Sequence, residues 1–246
     1  MTMTGNLRNE VLKLRTTRTP WLFLGISQVL VVIGISGVYV SGADPYDPQT
    51  ALTALAHVGL VSILSLVMGI LGVAGEYRYK TITDTYLATP SRGKVVAAKV
   101  LVYSAFGAVL SIASTVTALI TTLAWLKAKD VPMPASAGDL WQTAAGCVVW
   151  NICFAAVGVG VGALVRNLAG AVAGALLWIA VVEGLVAQLI GDNAKWLAFR
   201  SGVALEGLDS PSIAVLPQWG GGLMLVAYAG AFVAVALATS MRRDVT

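Results

Sequence analysis

The sequence predicts an all-α fold, a polytopic membrane protein with six transmembrane helices, and three observations carry that reading. Of its 246 residues, 57% are hydrophobic and 11% charged, which leaves too little polar surface to solvate a globular domain of this size. The apolar residues gather into six runs, 21–40, 51–74, 95–126, 140–165, 168–190 and 219–240, each long enough at about 1.5 Å rise per residue to cross about 30 Å of hydrocarbon. The sixteen bases and twelve acids segregate between alternate connections, as the positive-inside rule requires.

Ahead of the first run, residues 5–19 place Leu7, Val11 and Leu14 at i, i+4 and i+7, with Arg8, Lys13, Arg15 and Arg18 elsewhere around the helix. That pattern predicts an amphipathic helix lying along the membrane surface. Pro20 separates it from span one, which Trp21 opens at headgroup level. No small-residue cleavage site follows, so the basic start and apolar run read as a retained span. The connection 41–50 holds two acids, two prolines and no base, the composition of a short external loop. Span two leads into a polar stretch, 75–94, and span three is longer than a bilayer needs, so it protrudes or tilts. Pro132 and Pro134 mark a second external loop, which Trp125 and Trp141 flank as an aromatic belt would. Only Arg166 and Asn167 divide spans four and five, a tight antiparallel hairpin. Gly158 with Gly162, and Gly170 with Gly174, sit at the four-residue spacing that lets backbones approach.

The segment 191–218 repeats Trp196, Leu197, Phe199, Val203, Ala204 and Leu205 at helical spacing in a run too short to span, and Pro211 and Pro217 bracket a second apolar piece. It reads as one or two re-entrant or interfacial helices before span six, covered by protein or lining a wet cavity. Six spans with both termini in the cytoplasm put twelve of the sixteen bases inside, leaving Lys127, Lys129, Lys195 and Arg200 outside with seven acids. The net charge of +4 is then a matter of membrane topology, and no basic, aromatic-interleaved surface points to nucleic acid.

Chemistry-bearing residues are few. The motifs G-x-x-x-x-G-K-[ST], G-x-S-x-G and H-E-x-x-H are absent, so the chain has no usual ATP loop and no familiar hydrolytic centre. Cys147 and Cys153 share one apolar run and read as buried hydrophobes. His57 has no second metal ligand nearby in sequence, so a structural or interfacial role is expected. Glu183 is the ionisable residue deep in an apolar span, about 10 Å by helix rise from the external end of span five. A charge there costs roughly 2.5–3.5 kcal/mol. It either contacts a cationic or hydrogen-bonding substrate on an exit path, or bonds backbone or tryptophan in the external segment.

The stretch 75–94, GEYRYKTITDTYLATPSRGK, is more than a connector. Thr81-Ile82-Thr83-Asp84 matches a capping box, with the Thr81 hydroxyl on the Asp84 amide and the Asp84 carboxylate near the helix's positive end. The helix can run to about Ala88, because Pro90 pushes Thr89 out of helical space, and Ser91 can then cap the helix that becomes span three. Ile82 and Tyr86 share a face with Leu87 beside it, an apolar ridge flanked by Arg78, Lys80, Arg92 and Lys94. Such a ridge suits a groove in a cytoplasmic partner; the alternative is a connector resting on lipid headgroups.

With these residues in place the chain resembles the exporter-type (type-2) permease subunits of ATP-binding-cassette (ABC) transporters, in particular the compact six-span kind of actinobacteria. The similarity runs through the basic amphipathic helix, Glu76 opening the polar loop, the Thr-rich segment, the Thr89-Pro90-Ser91-Arg92 turn, Lys99 at the head of span three, and the external re-entrant region. The resemblance implies a coupling helix over about 81–88, seated in a groove of a separately encoded ATPase. Its coupling residues would be Glu76, Thr81, Ile82, Asp84, Tyr86, Leu87 and Arg92, with Glu76 and Arg92 orienting the base of the loop. It implies two permeases and two ATPases, ATP and Mg bound in the ATPases and no cofactor in this chain. It also implies export of a drug, lipid, peptide or ion along a path lined by spans two and five, with Glu183 as a path candidate. No glutamate-rich or histidine-rich span suggests a metal substrate.

A gradient-driven secondary transporter is the competing class, marked by internal repeats and interrupted spans with ion-binding polar residues. The sequence has no repeat, and Glu183 stands alone. A lipid-modifying membrane enzyme would need a nucleophile, base or metal ligands at one depth, for which His57 with Glu183 is thin.

Overall fold

A computed structural model of the chain describes residues 2–89, 91–208 and 214–240, without the side chains of Tyr86, Ala88 and Ser240. Every regular element among them is helical. Six helical stretches are long and apolar enough to cross a membrane: Thr19–Val40, Pro48–Arg78, Arg92–Ala128, Ala137–Val165, Leu168–Trp196 and Gln218–Thr239. Each overlaps one expected run. The all-α, membrane-embedded fold is therefore as the composition demands.

In chain order, α1 (Met3–Thr16) precedes α2 (Thr19–Val40), whose first turn holds Pro20. Proline is tolerated there because the first amides of a helix lack intrahelical partners anyway. Span two is two helices, α3 (Pro48–Leu60) and α4 (Ser62–Arg78), meeting at Val61. Asp47 caps α3 by accepting from the Gln49 amide at 3.0 Å. A short helix, α5 (Ile82–Ala88), leads to the long α6 (Arg92–Ala128). Ser136 caps α7 (Ala137–Val165) through the Asp139 amide at 3.1 Å. The two-residue hairpin follows: Arg166 turns left-handed at φ 55°, and Asn167 caps α8 (Leu168–Leu177) by accepting from the Gly170 amide at 2.8 Å. Span five continues through a π turn, Trp178–Val182, into α9 (Glu183–Ile190) and a 3₁₀ turn, Gly191–Trp196. The segment 191–218 supplies α10 (Ala198–Leu205), and α11 (Gln218–Ser240) closes the bundle. Pro211 and Ile213 of the second apolar piece, and Arg242 and Arg243 of the tail, lie outside the described residues.

The centre of the bundle is α7, against which α4, α6 and α11 all pack. Its glycines make this possible. A Cβ at Gly158 would collide with the Leu66 carbonyl, and one at Gly162 would stand 2.9 Å from the Ile70 carbonyl, so α4 and α7 touch backbone to backbone. The second glycine pair behaves otherwise. Gly174 has nothing within 4 Å and Gly170 meets only the Asn167 side chain, so among the described residues no backbone closes on either glycine. Trp150 of α7 is fully buried, its indole covered by Gly202 of α10. Thus α10 seals one end of the bundle, held by Thr143 Oγ1 donating to the Glu206 carbonyl (2.8 Å) and Gln218 Nε2 to the Leu205 carbonyl (2.8 Å). At the opposite end lie α1, α5 and the α7–α8 turn.

Candidate functional site

Four charged side chains meet beneath α5. Lys99, 1% exposed on the second turn of α6, spends all three ammonium protons: on Glu10 Oε2 (3.0 Å), Glu76 Oε1 (2.7 Å) and the Gly72 carbonyl (2.8 Å). Lys13 donates to Glu10 Oε1 (2.7 Å) and Glu76 Oε1 (2.5 Å). Each carboxylate thus bridges both lysines, and three elements, α1, the end of α4 and the head of α6, share one ionic joint. Burial lowers the Lys13 pKa, but the hydrogen bonds and charges of Glu10 and Glu76 outweigh it and hold the group above its ordinary value.

The helix α1 is turned differently from its apolar pattern. Its inward stripe is Asn6, Glu10 and Lys13, polar residues at helical spacing, while Val11 is exposed. Leu7, Val11 and Leu14 instead line an apolar crevice of about 600 Å³ with Trp21, Leu24 and Phe106 of spans one and three. A helix that meets ions on one side and apolar groups on the next must keep both registers at once.

The joint holds α5 through its polar residues. Glu76 accepts the Thr81 amide on its carbonyl at 3.0 Å, and Thr85 Oγ1 lies 3.4 Å from Glu76 Oε2. Thr89 Oγ1 donates to Asn6 Oδ1 at 2.9 Å. Between α1 and α5 runs a groove of about 310 Å³ lined by Glu10, Lys13, Asp84, Thr85 and Thr89 among others.

Three expectations for this loop are corrected. The capping box does not form: Thr81 has helical backbone angles (φ −87°, ψ −7°) and its hydroxyl makes no cap bond, because a capping side chain needs an extended backbone to reach the first amides. Its carbonyl serves the helix instead, accepting from the Thr85 amide at 3.2 Å. Ser91 stands before α6 with no hydroxyl cap bond; its carbonyl accepts from the Lys94 amide at 3.1 Å. The apolar ridge is divided, since Ile82 is 3% exposed and packs inward while Leu87 is 77% exposed. Pro90 and the Tyr86 side chain lie outside the described residues. Asp84 is exposed in the first turn of α5, and Arg92 is half-buried as the first residue of α6. Arg166 of the α7–α8 turn stacks over the Tyr77 ring at 5.3 Å, bringing that hairpin beside the joint.

Sequence reasoning missed Glu10, Lys13, Asn6, Thr85 and Thr89. Two signals were present: Glu10 is the sole acid before Asp44, and Lys99 is the sole base inside the third apolar run.

Glu183 lies in the other half of the molecule, 4% exposed just after the π turn. Both its oxygens accept the Phe199 amide at the start of α10, at 3.1 and 3.0 Å. The expected bond to backbone of the segment 191–218 is thus present. The same side chain borders an apolar cavity of about 300 Å³ with Trp178, Ile179, Phe154, Tyr228 and Phe232. His57 packs on Gly34 of span one with Nδ1 2.9 Å from the Thr53 carbonyl. Cys147 and Cys153 are buried free thiols. Among the described residues no three His, Cys, Asp or Glu side chains gather as metal ligands.

No protein-family model matches the chain, and no curated protein matches it.

Proposed function

We propose that this chain is the membrane-spanning permease subunit of an ABC transporter of the exporter type. It sits in a bacterial plasma membrane with both termini in the cytoplasm, works as a dimer of permeases and is driven by two separately encoded ATPase subunits that bind ATP and Mg. The observation that supports this reading most is the buried joint of Glu10, Lys13, Glu76 and Lys99. A short helix on a bare loop could be pushed without moving anything else. Here α5 is tied to the ends of spans two and three and to α1, so force delivered to it is passed to the spans. Glu76 keeps the orienting role, with Lys99 and Lys13 as its partners. Thr83, Asp84 and Leu87, exposed on α5, are free to meet an ATPase groove. Spans two and five line the path, for a drug, lipid, peptide or ion, and Glu183 stands beside it.

The test is purification of the tagged chain from its own host. A stoichiometric ATPase should accompany it, and Leu87→Asp should lower that ATPase's turnover or its recovery while leaving the permease folded. Recovery of the chain alone, with transport that survives ATP depletion, would overturn the reading.

A gradient-driven secondary transporter has one observation in its favour. Spans two and five are both interrupted, at Val61 and at Trp178–Val182, and interrupted spans are where such proteins hold ions. Against it, two of the polar groups nearby are already engaged within the chain: Ser65 Oγ donates to Asn151 Oδ1 at 2.7 Å, and Glu183 takes the Phe199 amide, while Ser62 Oγ beside the first break is buried without a partner among the described residues. Transport that collapses with the proton gradient would favour this class.

A further inference from the structure

The carboxyl of Glu206, just past α10, has no part in coupling, and its surroundings are those of a binding site. Glu206 is 8% exposed. Its amide donates to the Val203 carbonyl at 3.1 Å and its carbonyl accepts from Thr143 Oγ1 at 2.8 Å. Among the described residues, no donor reaches its carboxyl oxygens. A carboxyl removed from water without a partner is costly, and a folded chain that keeps one calls for an explanation.

The carboxyl rests in a place made for it. Oε1 occupies the spot that a Cβ at Gly59 would take, and the six-membered ring of Trp150 borders the same spot. Absence of a side chain at Gly59 therefore admits an oxygen beside an indole. Trp150 and Phe199 meet edge to face, with centroids 5.1 Å apart. Together with Thr53, His57, Leu60, Val203 and Leu208, these residues line a cavity of about 190 Å³. The Thr53 carbonyl can only accept, so His57 Nδ1 carries a proton directed at it and away from the Glu206 carboxyl.

We propose that this cavity binds a small primary alkylammonium ion, with the Glu206 carboxylate as its counter-ion and the partly exposed ring of Phe199 against its alkyl and cationic parts, Trp150 forming the buried floor behind them. An anion would meet only an acidic wall. A structural metal would want three or four protein ligands, and no such group exists among the described residues. An ammonium head obtains a charge-assisted hydrogen bond from the carboxylate and a cation–π contact from the Phe199 ring.

Binding carries a proton signature. Among the described residues, the titratable groups facing Glu206 are His57 of α3 and Cys147 of α7, and burial pushes the Glu206 carboxyl up to about 8. At neutral pH the empty site is therefore mostly protonated. As the ammonium enters, the carboxyl O–H bond breaks and its proton passes to the buffer.

The experiment is calorimetric titration of the purified full chain with butylammonium chloride, in buffers of differing ionisation enthalpy, from pH 6 to 9. Expected are saturable binding, release of close to one proton per ion at pH 6.5 and nearly none at pH 9. Affinity should rise about tenfold per pH unit below pH 8. Butan-1-ol, uncharged and of similar length, should bind at least about tenfold more weakly and release no proton. Glu206→Gln, which mimics the protonated form, should fold and lose the ion and the proton release together. Phe199→Leu, which keeps the backbone amide used by Glu183, should weaken the ion by about tenfold, and it decides the matter if Glu206→Gln fails to fold. Absent saturation, equal binding of the alcohol, or binding untouched by either substitution overturns the site. All of these are read on the chain without an ATPase, so the result stands apart from the coupling proposal.

Discussion

Lys99 Nζ stands 3.0 Å from Glu10 Oε2, joining the head of the third span to the helix that precedes the first. Eighty-nine positions separate the two residues, and both are almost wholly buried. Replacing Lys99 by Met leaves two buried carboxylates with Lys13 alone. Breaking a buried pair in this way costs roughly 3–5 kcal/mol, to be read from unfolding of the chain in lipid or detergent. Adding Glu10→Gln to Lys99→Met should cost less than the sum of the two single changes, as a double-mutant cycle measures. Strict additivity would mean that the two residues do not interact.

Glu183 should separate Gln from Leu. Glu183→Gln retains an oxygen for the Phe199 amide, whereas Glu183→Leu leaves that amide unpaired, at about 1–3 kcal/mol. Equal melting of the two variants would remove the structural role, and a change of substrate preference in Glu183→Gln would add a functional one.

The glycines of α7 and α8 should respond oppositely. A methyl group at Gly158 meets the Leu66 carbonyl, which as backbone cannot step aside, so Gly158→Ala should cost about 1–3 kcal/mol, as overpacking does. Gly174→Ala enters open space and should be neutral or stabilising by up to about 1 kcal/mol, the helix-propensity difference. Thermal unfolding of the two variants side by side is the measurement. A destabilised Gly174→Ala would reveal a neighbour from a second chain.

Stability should depend on pH through Glu206. Its folded value, about 8, lies above the ordinary 4.5, so the folded chain binds the proton more tightly than the unfolded one. Its contribution is complete below pH 4.5, declines as pH rises and is lost once pH passes 8. By then the cost is on the order of 4–5 kcal/mol at about 1.4 kcal/mol per unit. Glu206→Gln should flatten this slope and melt higher than the native chain at pH 9. An unchanged slope would place the titrating group elsewhere.

What could be read from the sequence follows the distance over which each feature is made. The six spans were legible because hydrocarbon thickness demands a run of fixed length, whatever the neighbours. The hairpin at Arg166 and Asn167 was legible for a similar reason, two residues leaving room for little else. The ionic joint was not, since Lys13 and Glu76 are 63 positions apart and no local period records such a pairing. At Thr81 a correct motif was put to another use: the Glu76 carbonyl holds its amide and the residue becomes helical. Ile82 leaves the expected ridge because the folded chain buries it, a contact that the loop's own sequence does not record. The π turn left no mark, its residues Trp178–Val182 being as apolar as any span.

The joint beneath α5 has one further property. Two carboxylates and two ammonium groups sum to zero, so the cluster crosses no voltage when it moves. A single charge shifted through the whole membrane field exchanges about 2.3 kcal/mol per 100 mV, which would make any motion of the loop run faster in one polarity than the other. Under the coupling proposed above, a neutral joint escapes that tilt, and its movement would answer to what presses on α5 rather than to the membrane voltage.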